Sequence, residues 1–225
     1  MKNKFEFLKD ILNKSNNETV IINRGEFLDS SVLIIITKIN DEYNVIFEKR
    51  AKGIRQSGEI CFPGGIKSKE DQNYLDTALR ECEEEIGINR KNIDILGGLG
   101  TFIMGGKVII DVFIGFCDYE NIKNCILNYD EVEKIITVPV KFFMENKPKD
   151  YKIKTINFAR NLDKNGAEEV YFPAKELGLP ENYHNSWDGV LNKVVLYKYK
   201  DEYIWGITGK IIEKFIEIVA KNINI

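Results

Sequence analysis

The residues best suited to chemistry are glutamates in the segment 80–87, which reads RECEEEIG. If this segment is helical, each residue turns about 100°, so Glu85 lies about 40° to one side of Glu81 and Glu84 about 60° to the other. Like charges at this spacing repel, and the C-terminal end of a helix repels anions. A divalent cation reverses both effects, and Mg²⁺ or Mn²⁺ suits carboxylate ligands. The alternative is a solvated acidic helix face.

A glycine-rich segment, Phe62-Pro63-Gly64-Gly65, precedes the acidic segment. Two glycines allow the backbone to approach a ligand closely, and their carbonyls can face a metal ion. A simple tight turn is the alternative for this segment alone. We expect these residues to stand outside any regular helix or strand.

Together, the two segments resemble the box of the Nudix hydrolases, G-x5-E-x7-R-E-U-x-E-E-x-G-U, where U is a bulky aliphatic residue. Gly65 stands at the first glycine, and residues 80–88 match the second half, with Cys82 at the first U position. Asp71 replaces the first glutamate, and eight residues instead of seven separate it from Arg80. The resemblance implies an α+β protein with the Nudix fold, an α/β/α sandwich in which helices cover both faces of a mixed sheet.

The resemblance also implies roles for residues of the box. Glu81, Glu84 and Glu85 would bind Mg²⁺ or Mn²⁺ or activate water, and the Gly64 carbonyl would be a further ligand. Glu81 is the first candidate for ligand or base. Arg80 would orient a carboxylate through a bidentate pair. The remaining motif positions, Asp71 and Gly87, would be structural.

A narrower resemblance, to the coenzyme A diphosphatases of this family, extends upstream and downstream of the box. It covers Arg50-Ala51, Arg55, the segment from Gly58 to Gly65, and the late segment 204–209, IWGITG. Arg50, Arg55 and Gly65 would contact substrate, the arginines through its phosphates. Glu131, in a segment that resembles N-x-D-E-V, is a second candidate base, and a solvated surface carboxylate is its alternative.

The chemistry implied is metal-dependent hydrolysis of a nucleoside diphosphate linked to another group. Coenzyme A, cleaved to 3′,5′-ADP and 4′-phosphopantetheine, is the leading substrate. A Nudix hydrolase of ADP-ribose or of a dinucleotide is one alternative. A nucleotide-binding sensor without catalysis is an alternative of another class, because a fold does not establish a function.

The segments that must position these residues follow from hydrophobic patterning. Strands are predicted at 31–38, 43–49, 60–62, 93–99, 107–116 and 133–138, with a hairpin at 193–199 and 202–205. Helices are predicted at about 1–15, at 73–86 closed by Gly87, at 140–145 and at 210–219. The charged, proline-containing segment 147–181 is predicted to be a loop insertion.

Composition sets limits on function. The chain has 225 residues, which suits a single domain over 1–225, and its formal net charge is −3. No basic excess indicates nucleic acid or anionic lipid as a partner. Four scattered cysteines fit a reducing cytoplasm, and no apolar run is long enough to span a membrane. A homodimer is the default expectation for such an enzyme.

Overall fold

The computed structural model describes residues 21, 23–105 and 108–222. The predicted N-terminal helix at about 1–15 lies outside these residues. In the described part of the chain, no helix is both long and apolar enough to cross a membrane.

The main sheet contains seven strands, with β3-β2-β1-β6-β5 as its central order, while β4 pairs with β1 and β7 pairs with β2. Its strands are β1 Leu28–Ile39, β2 Glu42–Arg50, β3 Ile60–Cys61, β4 Gly64–Ile66, β5 Ile93–Met104, β6 Val108–Cys117 and β7 Val132–Pro139. Strands β1 and β6 are parallel and the other pairs are antiparallel. The predicted mixed sheet is therefore confirmed.

Helices cover both faces of this sheet. They are α1 Tyr74–Ile86, α2 Tyr119–Lys123, α3 Val140–Glu145 and, near the C-terminus, α4 Gly206–Asn222. Along β1, Leu33 and Ile35 join the core beneath α1 and α2, whereas Ile34 and Ile36 join the core beneath α3 and α4. All four are nearly inaccessible to solvent, which explains why β1 is a continuous run of apolar residues.

The prediction of a loop insertion at 147–181 is wrong. The segment contains strands β8 Lys149–Phe158, β9 Arg160–Leu162 and β10 Glu168–Val170. Strand β8 pairs along its length with β11 Ser186–Tyr199, which in turn pairs with β12 Glu202–Trp205. We call the paired strands β8 and β11 the arm. Every residue of β8 is exposed, so the strand lacks the one buried face that makes a strand recognisable in sequence.

The glycine segment also departs from the prediction, because Gly64–Ile66 forms strand β4 against β1. Gly64 has a φ of 155°, and a Cβ there would overlap the Ser31 carbonyl and Val32. Glycine therefore permits a strand pairing that other residues could not make at this position. Several other elements are longer than predicted, most notably β5, which reaches Met104, and α4, which begins at Gly206.

Helix α1 is closed by Gly87, as predicted, in the left-handed conformation at φ 70°. A Cβ at this position would overlap the Ile126 backbone, whereas Gly178, at φ 67°, has open space around it. We expect Gly87→Ala to lower the free energy of unfolding by at least about 1–3 kcal/mol, the range for strain at positive φ. Gly178→Ala is the matched control with the strain alone. Urea denaturation at neutral pH measures both, and equal losses would contradict a packing role for Gly87.

Candidate active site

Strand β4 lies between β1 and the acidic helix α1, in close contact with both. The Gly64 N–H donates to a carboxylate oxygen of Glu85 at 2.8 Å. A Cβ on Gly65 would overlap the Glu81 carboxylate. The two glycines therefore bring the backbone of β4 against two of the three predicted metal ligands.

Arg80 contacts three of the other predicted site residues through its guanidinium group. Its Nε and Nη2 donate to the two carboxylate oxygens of Asp71 at 2.9 and 3.1 Å. It also forms ion pairs with Glu81 and with Glu84, each at 2.7 Å. The bidentate pair that the sequence predicted for Arg80 is thus present, with Asp71 as the carboxylate.

Asp71 is buried, and its carboxylate is surrounded by donors. Besides Arg80, the Ser68 N–H and the Thr77 hydroxyl donate to it at 2.8 and 2.9 Å. The Arg80 hydrogen bonds hold the pKa of Asp71 well below its usual range. Asp71 is therefore a charged structural anchor for the loop that leads into α1.

A second group of carboxyls lies in the interior, where charge is unfavourable. Glu85 on α1 and Glu48 on β2 are both buried, and burial raises the pKa of each above the ordinary range; the Glu48 charge adds to the rise in the pKa of Glu85. Burial also raises the pKa of Glu81. The Cys61 thiol donates to one Glu48 oxygen at 3.2 Å, while the other Glu48 oxygen is buried without a hydrogen-bond partner.

These carboxyls fit a divalent cation by their chemistry. A buried oxygen without a partner and raised carboxyl pKa values both indicate that the protein alone stabilises the ionised carboxylates poorly, which a cation would reverse. Within residues 21, 23–105 and 108–222, however, no three acidic, cysteine or histidine side chains already converge on one point. Glu81 and Glu84 face Arg80 instead. A cation that used them would therefore compete with Arg80 for their oxygens.

The other predicted site residues lie at different distances from this centre. Glu131 precedes β7, and its charge contributes to the raised pKa values of Glu48 and Glu81. The structure therefore brings Glu131 near these two carboxyls. The Arg50 charge opposes the rise in the pKa of both Glu48 and Glu85, so this cation lies near the two carboxyls. The Arg50 Nε donates to the Arg55 carbonyl at 3.0 Å, while the Arg55 side chain is exposed.

Glu48 was not among the residues singled out from the sequence. The signal that could have found it is the run Val45-Ile46-Phe47, in which successive residues are apolar. Such a run indicates a strand buried on both faces, so the next residue is expected to be buried whatever its type. A buried glutamate in that position needs a compensating partner.

The structure has a mixed sheet between helices, with a glycine strand against an acidic helix. This arrangement agrees with the class of hydrolases that the sequence motif indicates. Residues 28–189 match the NUDIX domain family. The chain belongs to the Nudix family of hydrolases, whose members act on diphosphate bonds and generally use divalent metal ions.

Curated relatives include Nudix hydrolase 3 of Caenorhabditis elegans, 24% identical over 98% of this chain and 86% of the relative. A peroxisomal coenzyme A diphosphatase of Mus musculus is 29% identical over 56% of this chain and 52% of its own length. A peroxisomal coenzyme A diphosphatase of C. elegans is 33% identical over 62% of this chain and 56% of its own length. The chain thus matches about half the length of these two diphosphatases.

Solved structures with similar folds include a MutT/nudix family protein from Enterococcus faecalis. It is 15% identical, with a TM-score of 0.48, over 96% of this chain and 70% of that chain. A C. elegans Ap4A hydrolase is 13% identical, with a TM-score of 0.44, over 52% of this chain and 84% of that chain.

Asp71→Asn tests the anchoring role of Asp71. We expect it to lower the free energy of unfolding at pH 7 by about 1–3 kcal/mol, because Arg80 loses its charged partner. The folded pKa of Asp71 is lowered, so its stabilisation is present above the unfolded value of 3.8 and is lost as the pH falls further. The difference from wild type should therefore shrink in acid. Urea denaturation across this range, with exposed Asp201→Asn as control, measures it, and equal stability at pH 7 would count against the anchor.

Glu48→Gln tests the charge on the buried carboxyl. Because the folded pKa of Glu48 is raised, its stabilisation is full below the unfolded value of 4.5 and is lost as the pH rises. In the presence of EDTA, the glutamine variant should therefore be at least as stable as wild type at pH 8, and should lose this advantage toward pH 5. Glu42→Gln, exposed on the same strand, is the control. A variant much less stable than wild type at pH 8 would show that the Glu48 charge is already compensated.

Proposed function

We propose that this Nudix hydrolase cleaves the diphosphate of coenzyme A or its derivatives and releases 3′,5′-ADP and 4′-phosphopantetheine. The observation that carries the hydrolytic part is the group of buried, raised-pKa carboxyls against the Gly64-Gly65 backbone. The coenzyme A part is supported by the two matched diphosphatases and by the upstream arginines.

In this proposal, Glu81, Glu84, Glu85 and the Gly64 carbonyl hold Mg²⁺ or Mn²⁺. When bound, such an ion neutralises phosphate charge and makes an attacking water more acidic. Glu81 or Glu131 would accept the proton of that water as it attacks one phosphorus of the diphosphate, while the bond from that phosphorus to the bridging oxygen breaks and the other phosphate group leaves. Arg50 beside the buried carboxyls binds a phosphate.

The side chain of Arg55 is exposed, so its proposed role differs from that of Arg50. It is suited to a phosphate that stays near solvent, such as the 3′-phosphate of coenzyme A. Arg80 is a positioning residue, since its guanidinium contacts Asp71, Glu81 and Glu84. Gly65 permits close approach because nothing larger fits beside the Glu81 carboxylate.

The assay incubates the protein with Mg²⁺ or Mn²⁺ and, in parallel, coenzyme A, ADP-ribose, NADH and diadenosine polyphosphates, with products separated by chromatography. We expect coenzyme A to be cleaved fastest. Faster cleavage of another compound would discard coenzyme A and favour a Nudix hydrolase of ADP-ribose or a dinucleotide. Binding of these compounds without metal-dependent cleavage would instead favour a nucleotide sensor.

Glu81→Gln keeps the size of the side chain and removes its charge. We expect turnover to fall by roughly 10²-fold or more, the range for loss of a positioned acid or base, while the protein folds normally. Glu145→Gln, exposed on α3 and away from the carboxyl group, is the matched control and should retain activity. Turnover near wild type in Glu81→Gln, with normal folding by circular dichroism, would refute the role of Glu81.

A further inference from the structure

A cavity of about 430 Å³ lies between the glycine strand and the arm. Gly64 and Arg50, which belong to the site described above, form part of its lining. Ile153 and Val194 of the arm contribute to another part, and Ile211 of α4 to a third. The volume is within the range of small-molecule sites, about 300–1,000 Å³. A ligand held there would reach the backbone that contacts the catalytic carboxyls.

The lined surface of this cavity is mostly apolar, and the lining also includes the charged side chains of Arg50, Glu59, Lys193 and Lys210. The polar side chains include Gln56, Asn192 and Thr208. A purine base is usually held by stacking on aromatic faces. Two aromatic side chains line the cavity: Phe62, whose ring is stacked on Phe47 with centroids 4.9 Å apart, and Trp205. Aliphatic side chains outnumber these two, so the lining favours a flexible, largely apolar chain with amide groups over a base.

We propose that this cavity binds the non-nucleotide half of the substrate, an extended aliphatic chain that carries amides, as in 4′-phosphopantetheine, and that the arm determines specificity for it. This inference rests on the proposed function, because the chain must be joined to a diphosphate at Gly64. The nucleotide half then lies outside the cavity, toward the exposed Arg55.

Strand β8 of the arm contributes two alternate residues, Ile153 and Thr155, to the cavity. Ile153 pairs across the arm with Asn192, and both line the cavity. Ile156 pairs with Asp188, and neither lines it. The exposed fractions of the two isoleucines are close, 56% for Ile153 and 50% for Ile156. The chain therefore contains a matched pair of positions that differ mainly in which face of the arm they occupy.

The experiment introduces Ile153→Glu and, as its control, Ile156→Glu. Calorimetry measures the Kd of 4′-phosphopantetheine and of 3′,5′-ADP with Mg²⁺ present, and kinetics measures KM and kcat for coenzyme A. For Ile153→Glu we expect at least about a tenfold increase in the Kd of 4′-phosphopantetheine and in KM, because the bound apolar chain would remove water from the new charge. The Kd of 3′,5′-ADP and kcat should stay unchanged. Ile156→Glu should change none of these values.

Three results would overturn the inference. The first is that Ile153→Glu weakens 3′,5′-ADP and spares 4′-phosphopantetheine, which would assign the cavity to the nucleotide. The second is an equal effect of both substitutions. The third is unchanged binding in both variants, or no binding of 4′-phosphopantetheine by the wild type.

The binding measurements distinguish failure of this inference from failure of the proposed function. If the wild type binds 4′-phosphopantetheine, Ile153→Glu abolishes that binding and coenzyme A is not cleaved, the cavity assignment stands and the proposed function falls. If coenzyme A is cleaved and Ile153→Glu leaves KM and binding unchanged, the proposed function stands and the inference falls.

Discussion

The close contact between β4 and α1 is the constraint on which the site depends. Because neither Gly64 nor Gly65 has a Cβ, β4 can pair with β1 while its backbone reaches the carboxyls of Glu81 and Glu85. The same contact places the backbone between the acidic helix and the cavity. A side chain at Gly64 would push β4 away from β1, and one at Gly65 would push it away from the Glu81 carboxylate of the helix.

The electrostatics around this contact divide into a compensated part and an uncompensated part. Arg80 and the donors around Asp71 satisfy one buried carboxylate fully and thereby define the path of the loop into α1. At Glu48 and Glu85 the nearby Arg50 charge offsets the effect of burial only in part, so both pKa values are raised. The first part holds the helix in place. The second part leaves negative charge for a ligand to neutralise, which is typical of functional sites.

The main sheet and the arm make separate contributions. The sheet, covered by helices on both faces, positions the box and with it the hydrolytic chemistry of the family. The arm extends from this core with β8 exposed along its whole length, and residues of both its strands line the cavity that Gly64 also lines. In this arrangement the residues of the exposed extension that line the cavity can vary without altering the box on the sheet.

The sequence by itself determined the features that depend on local spacing. Helical periodicity placed the three glutamates of α1 on one stripe, Gly87 marked the end of the helix, and the apolar run in β1 indicated a strand buried on both faces. These features follow from residues within one or two turns of each other, so no knowledge of distant contacts was needed.

Tertiary structure alone decided the rest. Strand β8 could not be recognised because it buries neither face, and its partner β11 lies far along the chain. The pairing of Glu48 with Glu85, the turn of Glu81 and Glu84 toward Arg80, and the use of β4 as a strand all join distant segments. Which residues meet across such distances depends on how the sheet and helices pack, because burial and charge pairing are set by neighbours in space.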